Sequence, residues 1–166
     1  MKIGIVSDSH GKSDRLARAL DLLIERGAEA IVHCGDIGDD RCMRTLGQTG
    51  MPTYAVSGNT DRHTPFLPEV AASAGVEFHW EVIAVPLGDG RHLAATHGHD
   101  PQLVDELLAG QQFPYLCLGH SHQVRDQRSG QTRIINPGAL HRATPHTAAL
   151  LDTDTDSLEF IEVTDE

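Results

Sequence analysis

The amino-acid sequence predicts a mixed α/β fold, and three observations carry this prediction. Short apolar runs alternate with helical patterns over the first third of the chain. Later, pairs of strand-like runs flank short turns. Polar residues gather where the apolar runs end. This order indicates parallel βαβ units followed by antiparallel hairpins. We therefore expect a two-layer or three-layer α/β sandwich, folded as a single domain over residues 1–166.

The first third of the chain is predicted to contain three strands and two helices. Lys2–Val6 is an apolar run typical of a buried strand. The helix after it has apolar residues from Leu16 to Ile24 and ends at Gly27, because glycine commonly follows the last helical turn. Ala30–His33 is the second strand, residues 39–46 the second helix, and residues 52–56 the third strand.

The rest of the chain is predicted to contain three hairpins, one helix and one isolated strand. The hairpins pair residues 82–87 with 91–96, 124–128 with 132–135, and 147–151 with 158–163. Glycines or acidic residues occupy their turns. Residues 101–108 form the helix, and residues 115–118 form the isolated strand.

The chain is acidic and rich in histidine, which narrows the function classes. Its 13 lysines and arginines stand against 24 aspartates and glutamates, so the net charge is −11. This balance argues against general nucleic-acid binding, which depends on basic residues that neutralise phosphates. An acidic protein that handles phosphate needs a concentrated positive charge, which metal ions provide. The 11 histidines are consistent with metal binding.

Three further features bear on the cellular context. The three cysteines form no CxxC pair, which indicates buried thiols rather than disulfides. The apolar runs are too short to cross a bilayer. The first residues enter a strand without a signal-like region. We therefore expect a cytoplasmic protein that does not bind membranes.

Candidate metal ligands follow five of the predicted strands. In open α/β sheets, ligand sites lie beyond the carboxyl ends of the strands, so these side chains converge if the strands are neighbours in one sheet. Pairs two residues apart on extended strand ends would face the same way. Carboxylate, imidazole and amide ligands suit Mn, Fe, Zn or Ni. The residues at these strand ends are Asp8 and His10, then Asp36, then Asn59 and Asp61, then His97 and His99, and finally His120 and His122; Asp61 and His99 are not counted among the expected metal ligands.

This series of motifs resembles the calcineurin-like metallophosphoesterase superfamily. The short chain and the segment Ile135-Asn136-Pro137-Gly138 are similar to its small YfcE-like phosphodiesterase branch. The resemblance extends from Lys2 to the last hairpin. It implies a four-layered α/β/β/α sandwich of mixed sheets. It also implies a phosphodiesterase acting on a small phosphate ester, in which a metal-bridging hydroxide attacks phosphorus in line.

The resemblance also implies two divalent ions per chain, with Mn expected first and Fe, Ni or Zn as alternatives. Asp36 would bridge the ions, and Asp36 and Asn59 would belong to the catalytic set. The implied ligands of the first ion are Asp8, His10, Asp36 and His122, and those of the second are Asp36, Asn59, His97 and His120.

One position departs from the family pattern. Many members carry histidine after the asparagine of the GN motif, where it assists the leaving group, whereas this chain has Thr60. Asp61, which orients that histidine in those members, therefore lacks its usual partner. His99 is the first candidate for a substitute acid, and His63 and His141 are weaker ones. Without a strong acid, substrates with good leaving groups are favoured.

Several alternatives stay open from the sequence. Arg142 is either a phosphate contact or an exposed structural arginine, while Asn136-Pro137-Gly138 is expected to be mainly a structural turn. The fold can also serve as a protein-interaction scaffold, or the enzyme can be a phosphomonoesterase or a nucleotide pyrophosphohydrolase. A homo-oligomer is compatible with the sequence, which carries no interface signal.

Overall fold

The structure, a computed structural model, describes residues 1–164 and contains two β-sheets flanked by helices. The first sheet has six strands in the order β11-β10-β1-β2-β3-β4. Strands β1 to β4 run parallel to one another, whereas β10 is antiparallel to both of its neighbours. These strands are β1 (Lys2–Val6), β2 (Ala30–His33), β3 (Thr53–Val56), β4 (Glu77–His79), β10 (Thr147–Asp152) and β11 (Ser157–Glu162).

The second sheet has five strands in the order β5-β6-β7-β9-β8. Its central strands β6, β7 and β9 are parallel to one another. The outer strands β5 and β8 pair antiparallel with β6 and β9, with which they form hairpins. The strands are β5 (Val82–Pro86), β6 (His92–Thr96), β7 (Tyr115–Cys117), β8 (Val124–Ser129) and β9 (Thr132–Pro137).

The four α-helices are α1 (Ser13–Glu25), α2 (Asp40–Gly47), α3 (Leu67–Ala74) and α4 (Pro101–Gly110). Asp39 caps α2 by accepting a hydrogen bond from the Cys42 N–H, and Asp100 caps α4 in the same way. Within the described residues, the helices lack the combined length and apolar character that crossing a membrane requires.

Alternate residues of the strands belong to different cores, which stacks the molecule in four layers. Ile3 and Ile5 of β1 point into the core between the sheets, whereas Val6 packs with α1, α2 and α3. In the second sheet, Leu93 faces the inter-sheet core and Ala94 faces α4. The layers are therefore three helices, the six-stranded sheet, the five-stranded sheet, and α4, which confirms the four-layered sandwich.

The structure confirms the predicted strands, helices and all three hairpins, with shifts of a few residues at their ends. Residues 62–81 carried no prediction, and they contain most of a short 3-10 turn at Asp61–His63, followed by α3 and β4. Strand β4 has three residues, and its outward positions are exposed. Such a short edge strand leaves no usable hydrophobic period in the sequence.

The assumption that the ligand-bearing strands share one sheet is wrong. Strands β1, β2 and β3 belong to the first sheet, whereas β6 and β7 belong to the second. The candidate ligands therefore come from two sheets that face each other across the Ile3–Ile5 core.

A substitution in this inter-sheet core should destabilise the protein strongly. Ile5 is fully buried, so Ile5→Ala should lower the free energy of unfolding by about 2–5 kcal/mol, because it leaves a cavity. Urea denaturation followed by circular dichroism measures this loss. The control is Ile24→Ala on α1, where the side chain is 39% exposed. Equal effects of the two substitutions would contradict the assigned core.

Candidate metal site at the junction of the sheets

The candidate ligands lie in loops that follow the carboxyl ends of parallel strands. Asp8 comes two residues after β1, and Asp36 comes three residues after β2. His97 directly follows β6, and His120 comes three residues after β7. The loops of the two sheets meet, because the His120 N–H donates to Asp8 and Nδ1 of His97 lies 2.7 Å from the Cys34 carbonyl.

Asp8 is fully buried, and its two carboxylate oxygens have different surroundings. Oδ2 accepts hydrogen bonds from the Ser7 hydroxyl (2.6 Å) and from the His120 N–H (3.1 Å). Oδ1 has no hydrogen-bond partner, and it lies 3.2 Å from Nε2 of His122 and 3.8 Å from Nε2 of His10. One oxygen therefore fixes the carboxylate while the other points to the histidines.

Asp36 repeats this arrangement from the neighbouring loop. Its Oδ1 accepts a hydrogen bond from the Thr60 N–H (3.0 Å). Its Oδ2 lies 3.3 Å from Nε2 of His97 and 3.4 Å from Nε2 of His10. Asp36 therefore lies between two of the predicted histidine ligands, as a bridging carboxylate would.

The histidine rings are oriented by carbonyl groups. Nδ1 of His97 lies 2.7 Å from the Cys34 carbonyl, and Nδ1 of His122 lies 3.4 Å from the Arg142 carbonyl. An Nδ1–H that donates to a carbonyl leaves Nε2 unprotonated and free to accept or to bind a cation. This is the usual arrangement around metal-binding histidines.

The unpartnered atoms at the centre of the site fit a metal. Asp8 Oδ1, His10 Nε2 and His97 Nε2 are all buried without a hydrogen-bond partner. Leaving such atoms unsatisfied is costly unless a ligand binds them. Two overlapping groups place their ligand atoms within 4.8 Å of one another, namely Asp8 with His10 and His122, and Asp8 with Asp36 and His97. The donor types suit a divalent transition metal.

The charges in the site stabilise one another strongly. Burial opposes ionisation of both carboxylates, but nearby histidines outweigh it. His10 and His97 lower the pKa of Asp8, and His97 lowers the pKa of Asp36 well below its usual range. In turn, Asp8 raises the pKa of His10, and Asp36 and Asp8 raise the pKa of His97 against the effect of burial. The two carboxylates therefore stay ionised and attract a cation.

The expectation that ligands two residues apart face the same way on extended backbone is wrong for these loops. Five candidate ligands have positive φ angles: Asp8, His10, Asp36, His120 and His122. In this left-handed region, residues two apart do not simply alternate faces. Non-glycine residues seldom adopt it, at a cost of about 1–3 kcal/mol each, and such residues cluster at functional sites. The side chains converge because the loops turn sharply, which strand periodicity does not predict.

Two glycines allow the loops to approach closely. A Cβ atom on Gly58 would collide with the Asp36 carboxylate and its backbone nitrogen. A Cβ atom on Gly119 would collide with Ser7 and lie 2.8 Å from Oδ2 of Asp8. These positions need glycine because both carboxylates press against a neighbouring loop.

The other predicted residues surround an open pocket of about 330 Å³. Asn59, His120 and Arg142 line it, together with Thr60 and His141. The His120 ring lies 5.2 Å from the His97 ring, and the His141 ring lies 5.2 Å from the His10 ring. The pocket is therefore lined by candidate metal ligands together with His141 and Arg142, which are not metal ligands in the predicted set.

The remaining candidates lie outside the pocket lining. The His99 ring lies 5.5 Å from the His97 ring and is not part of the pocket lining. His63 is exposed on the 3-10 turn. Asn136 is buried and holds the His120 loop through hydrogen bonds to the Gly119 carbonyl and the Ser121 hydroxyl, which confirms a structural role for this segment.

Two residues support the site in ways that the sequence did not predict. Asp61 is fully buried and accepts hydrogen bonds from the N–H groups of Ile37, Gly38 and Gly58, so it ties the β2 and β3 loops together. Burial raises the pKa of this carboxyl, and the three N–H donors oppose that effect. His33 is buried beneath the first loop. Its position at the end of a strand was the only sequence signal.

The chain is similar to known phosphoesterases over nearly its whole length. A model of the calcineurin-like phosphoesterase superfamily domain matches residues 1–156. Phosphodiesterase MJ0936 of Methanocaldococcus jannaschii is 25% identical over 157 residues, which cover 93% of this chain and 94% of that protein. Phosphodiesterase YfcE of Escherichia coli K12 is 24% identical, with 93% and 89% covered.

Solved structures share the fold. A novel archaeal phosphodiesterase superposes with a TM-score of 0.88 at 23% identity, over 98% of this chain and 100% of that one. Vacuolar protein sorting 29 of Cryptosporidium parvum has a TM-score of 0.64 at 16% identity, over 98% and 97% of the two chains. At these identities the likeness establishes the architecture, and the function has to be argued from the site.

The buried imidazole of His33 should make the metal-free protein sensitive to mild acid. Its Nδ1 accepts from the Gly35 N–H, its Nε2 contacts the Ser9 hydroxyl, and burial lowers its pKa to about 4. The unfolded state has a histidine pKa of about 6.5, so it binds the proton first and stability falls as the pH drops from about 6.5 towards about 4.

His33→Asn keeps an acceptor for Gly35 but removes this titration. Between about pH 7 and about pH 5, the variant should lose about 2 kcal/mol less unfolding free energy than the parent. Urea denaturation in EDTA at both pH values provides the measurement. The exposed His92→Asn serves as control. Identical pH dependence of parent and His33→Asn would refute the assignment.

Proposed function

This chain belongs to the calcineurin-like phosphoesterase superfamily, and we propose that it is a metal-dependent phosphodiesterase acting on small phosphate esters. One observation carries the proposal. Two ionised carboxylates and three imidazoles from two sheets direct their coordinating atoms into one space, and three of those atoms are buried without partners. The names of two relatives, both phosphodiesterases, support the choice of reaction.

We propose two divalent ions, with Mn as the first candidate. Asp8, His10 and His122 would hold one ion, His97 with Asn59 and His120 would hold the other, and Asp36 would contact both. In support, Oδ2 of Asp36 lies at similar distances from Nε2 of His10 and of His97. Ions bound there would act as Lewis acids towards a phosphoryl oxygen and lower the pKa of bound water.

The residues around the pocket fit the binding of a phosphate ester. Arg142 is exposed on the pocket wall, and its planar guanidinium suits bidentate contact with phosphate oxygens. Asn59 adds a neutral amide at the same opening. The wide opening and volume of about 330 Å³ suit a small ester with two substituents on phosphorus.

The candidate general acids carry little proton to donate at neutral pH. Thr60 replaces the usual histidine, and Asp61 has its carboxylate occupied by three backbone N–H groups. Burial and neighbouring cations lower the pKa of His99 and of His141, so both are mainly neutral at neutral pH. His99 is the first candidate for the acid, and the position of His141 on the pocket wall makes it a second one.

The other functions considered from the sequence have less support. A scaffold role would not require unpartnered ligand atoms to converge, although one protein of similar fold is named for vacuolar protein sorting. Phosphomonoester and pyrophosphate hydrolysis would use the same site. Cytoplasmic location and homo-oligomer formation stay predictions.

Replacing Asp36 tests the metal site. Asp36→Asn keeps an acceptor for the Thr60 N–H but removes the charge that faces His10 and His97. It should lower metal content and reduce hydrolysis of bis(p-nitrophenyl) phosphate by more than about 100-fold, since losses at outer-shell positions already reach 10–100-fold. Elemental analysis and steady-state kinetics measure both. Asp105→Asn, exposed on α4, is the control. Undiminished hydrolysis by Asp36→Asn would exclude the proposed centre.

The substrate preference should follow from the missing strong acid. Bis(p-nitrophenyl) phosphate should turn over about 100-fold faster or more than an alkyl phosphodiester, because general acid catalysis typically contributes 10²–10⁴-fold to poor leaving groups. Rates measured at one pH with the same metal give this ratio. Equal turnover of the two esters would show that a competent acid is present. His99→Gln and His141→Gln would then identify it by a loss confined to the alkyl ester.

A further inference from the structure

A second, basic pocket of about 380 Å³ lies beside the metal site. Four of the chain's 13 lysines and arginines line it: Lys12, Arg15, Arg18 and Arg41. Among the described residues that line it, Asp14 is the one carboxylate. In a protein of net charge −11, this concentration of cations is unusual, and the proposed hydrolysis does not use it.

Three of these cations differ from five of the arginines elsewhere, although Lys2, Arg62, Arg125 and Arg142 also form no ion pair within residues 1–164. Arg26, Arg44, Arg91, Arg128 and Arg133 all pair with carboxylates. By contrast, Lys12, Arg18 and Arg41 form no ion pair with the residues of the described range 1–164. Moreover, Nε of Arg18 is shielded from solvent and has no hydrogen-bond partner among these residues. Unpaired, partly desolvated guanidinium groups favour an anionic ligand.

The backbone at the pocket adds to this preference. Helix α1 begins at Ser13, and no side chain caps its first turn, whereas Asp39 and Asp100 cap α2 and α4. Uncapped N–H groups and the helix dipole favour an anion at this end. The cationic side chains and the helix end therefore act in the same direction.

The basic pocket and the metal site are lined by residues that adjoin one another in the chain. Gly11 lines the basic pocket and directly follows His10 of the metal site. Nη1 of Arg15 donates to the Leu140 carbonyl (2.7 Å), and His141 comes next in the chain. The charge of Lys12 also helps to lower the pKa of His141. One molecule bound at the metal site can therefore reach the basic pocket.

We propose that the basic pocket binds a second phosphate group of the substrate. Resting on the proposed function, this makes the preferred substrate a phosphodiester with an additional terminal phosphate on one of its two arms. The diester lies at the metal site, and the terminal phosphate contacts Lys12, Arg18 and Arg41. The pocket thus selects among phosphodiesters, while the metal site cleaves them.

Two matched esters test the proposal. One is the p-nitrophenyl ester of thymidine 5′-phosphate, and the other is the same ester with a 3′-phosphate. Release of p-nitrophenol by the metal-loaded enzyme gives kcat/KM for each. The ester with the extra phosphate should be preferred by about 10- to 100-fold, the range that charge-assisted hydrogen bonds provide. A ratio near one would overturn the proposal.

Charge-removing variants locate the effect. The double variant Lys12→Gln with Arg41→Gln changes two exposed residues, and Arg18→Gln changes the half-buried one. Each should reduce the preference by about tenfold while the rate on bis(p-nitrophenyl) phosphate stays the same. Arg91→Gln removes the same charge from the distant β5–β6 turn and serves as control. An unchanged preference in both pocket variants would contradict the assignment.

Binding separates this proposal from the proposed function. Calorimetric titration compares thymidine 3′,5′-bisphosphate with thymidine 5′-phosphate on the same proteins. If neither ester is hydrolysed, the phosphodiesterase proposal fails. The binding result alone then decides whether the basic pocket binds a second phosphate. Tighter binding of the bisphosphate that disappears in the pocket variants supports the second phosphate site. Equal binding of the two nucleotides refutes it.

Discussion

The structure depends on two carboxylates held without solvent at the meeting point of two sheets. Asp8 and Asp36 are buried and ionised, and each directs one oxygen to the same group of histidines. Burial alone would raise the pKa of both groups, so the ionised state persists only because imidazoles and N–H donors surround them. Two negative charges in a confined space require positive charge nearby, and a metal supplies more of it than neutral imidazoles do. The sharp loops and the glycines at the site are consequences of bringing these two groups together.

Fold and site are coupled through hydrogen bonds that join the two sheets. Nδ1 of His97 meets the Cys34 carbonyl and the His120 N–H reaches Asp8. Within the second sheet, Asn136 holds the loop that carries His120. The same contacts that close the sandwich therefore orient the ligands. A cation that binds the native state but not the unfolded state would therefore raise the free energy of unfolding of the whole molecule. The left-handed backbone at Asp8 and Asp36 is a strain that this coupling maintains.

Sequence patterns predicted every described strand except β4, the three hairpins and most of the residues that gather at the site. These predictions succeeded because each apolar run marks a strand, and the loop after the carboxyl end of a parallel strand is where site residues usually lie. They could not assign strands to sheets, because pairing between β6 and β7 and the facing of the two sheets depend on contacts distant in sequence. They also missed Asp61 and His33 as supports, since a hydrogen bond to a backbone N–H leaves no mark on sequence spacing. The sequence did not predict the basic pocket either, because Lys12 and Arg41 lie at the ends of two different helices and come together only in the fold.

Anomalous diffraction from Mn-loaded crystals tests the central claim most directly. We predict two anomalous peaks per chain, each about 2–2.5 Å from oxygen or nitrogen ligands. Oδ1 of Asp8 and Nε2 of His10 should contact one ion, Nε2 of His97 should contact the other, and Oδ2 of Asp36 should contact both. Data of good quality that show no anomalous density between Asp8, Asp36 and His97 would contradict the account.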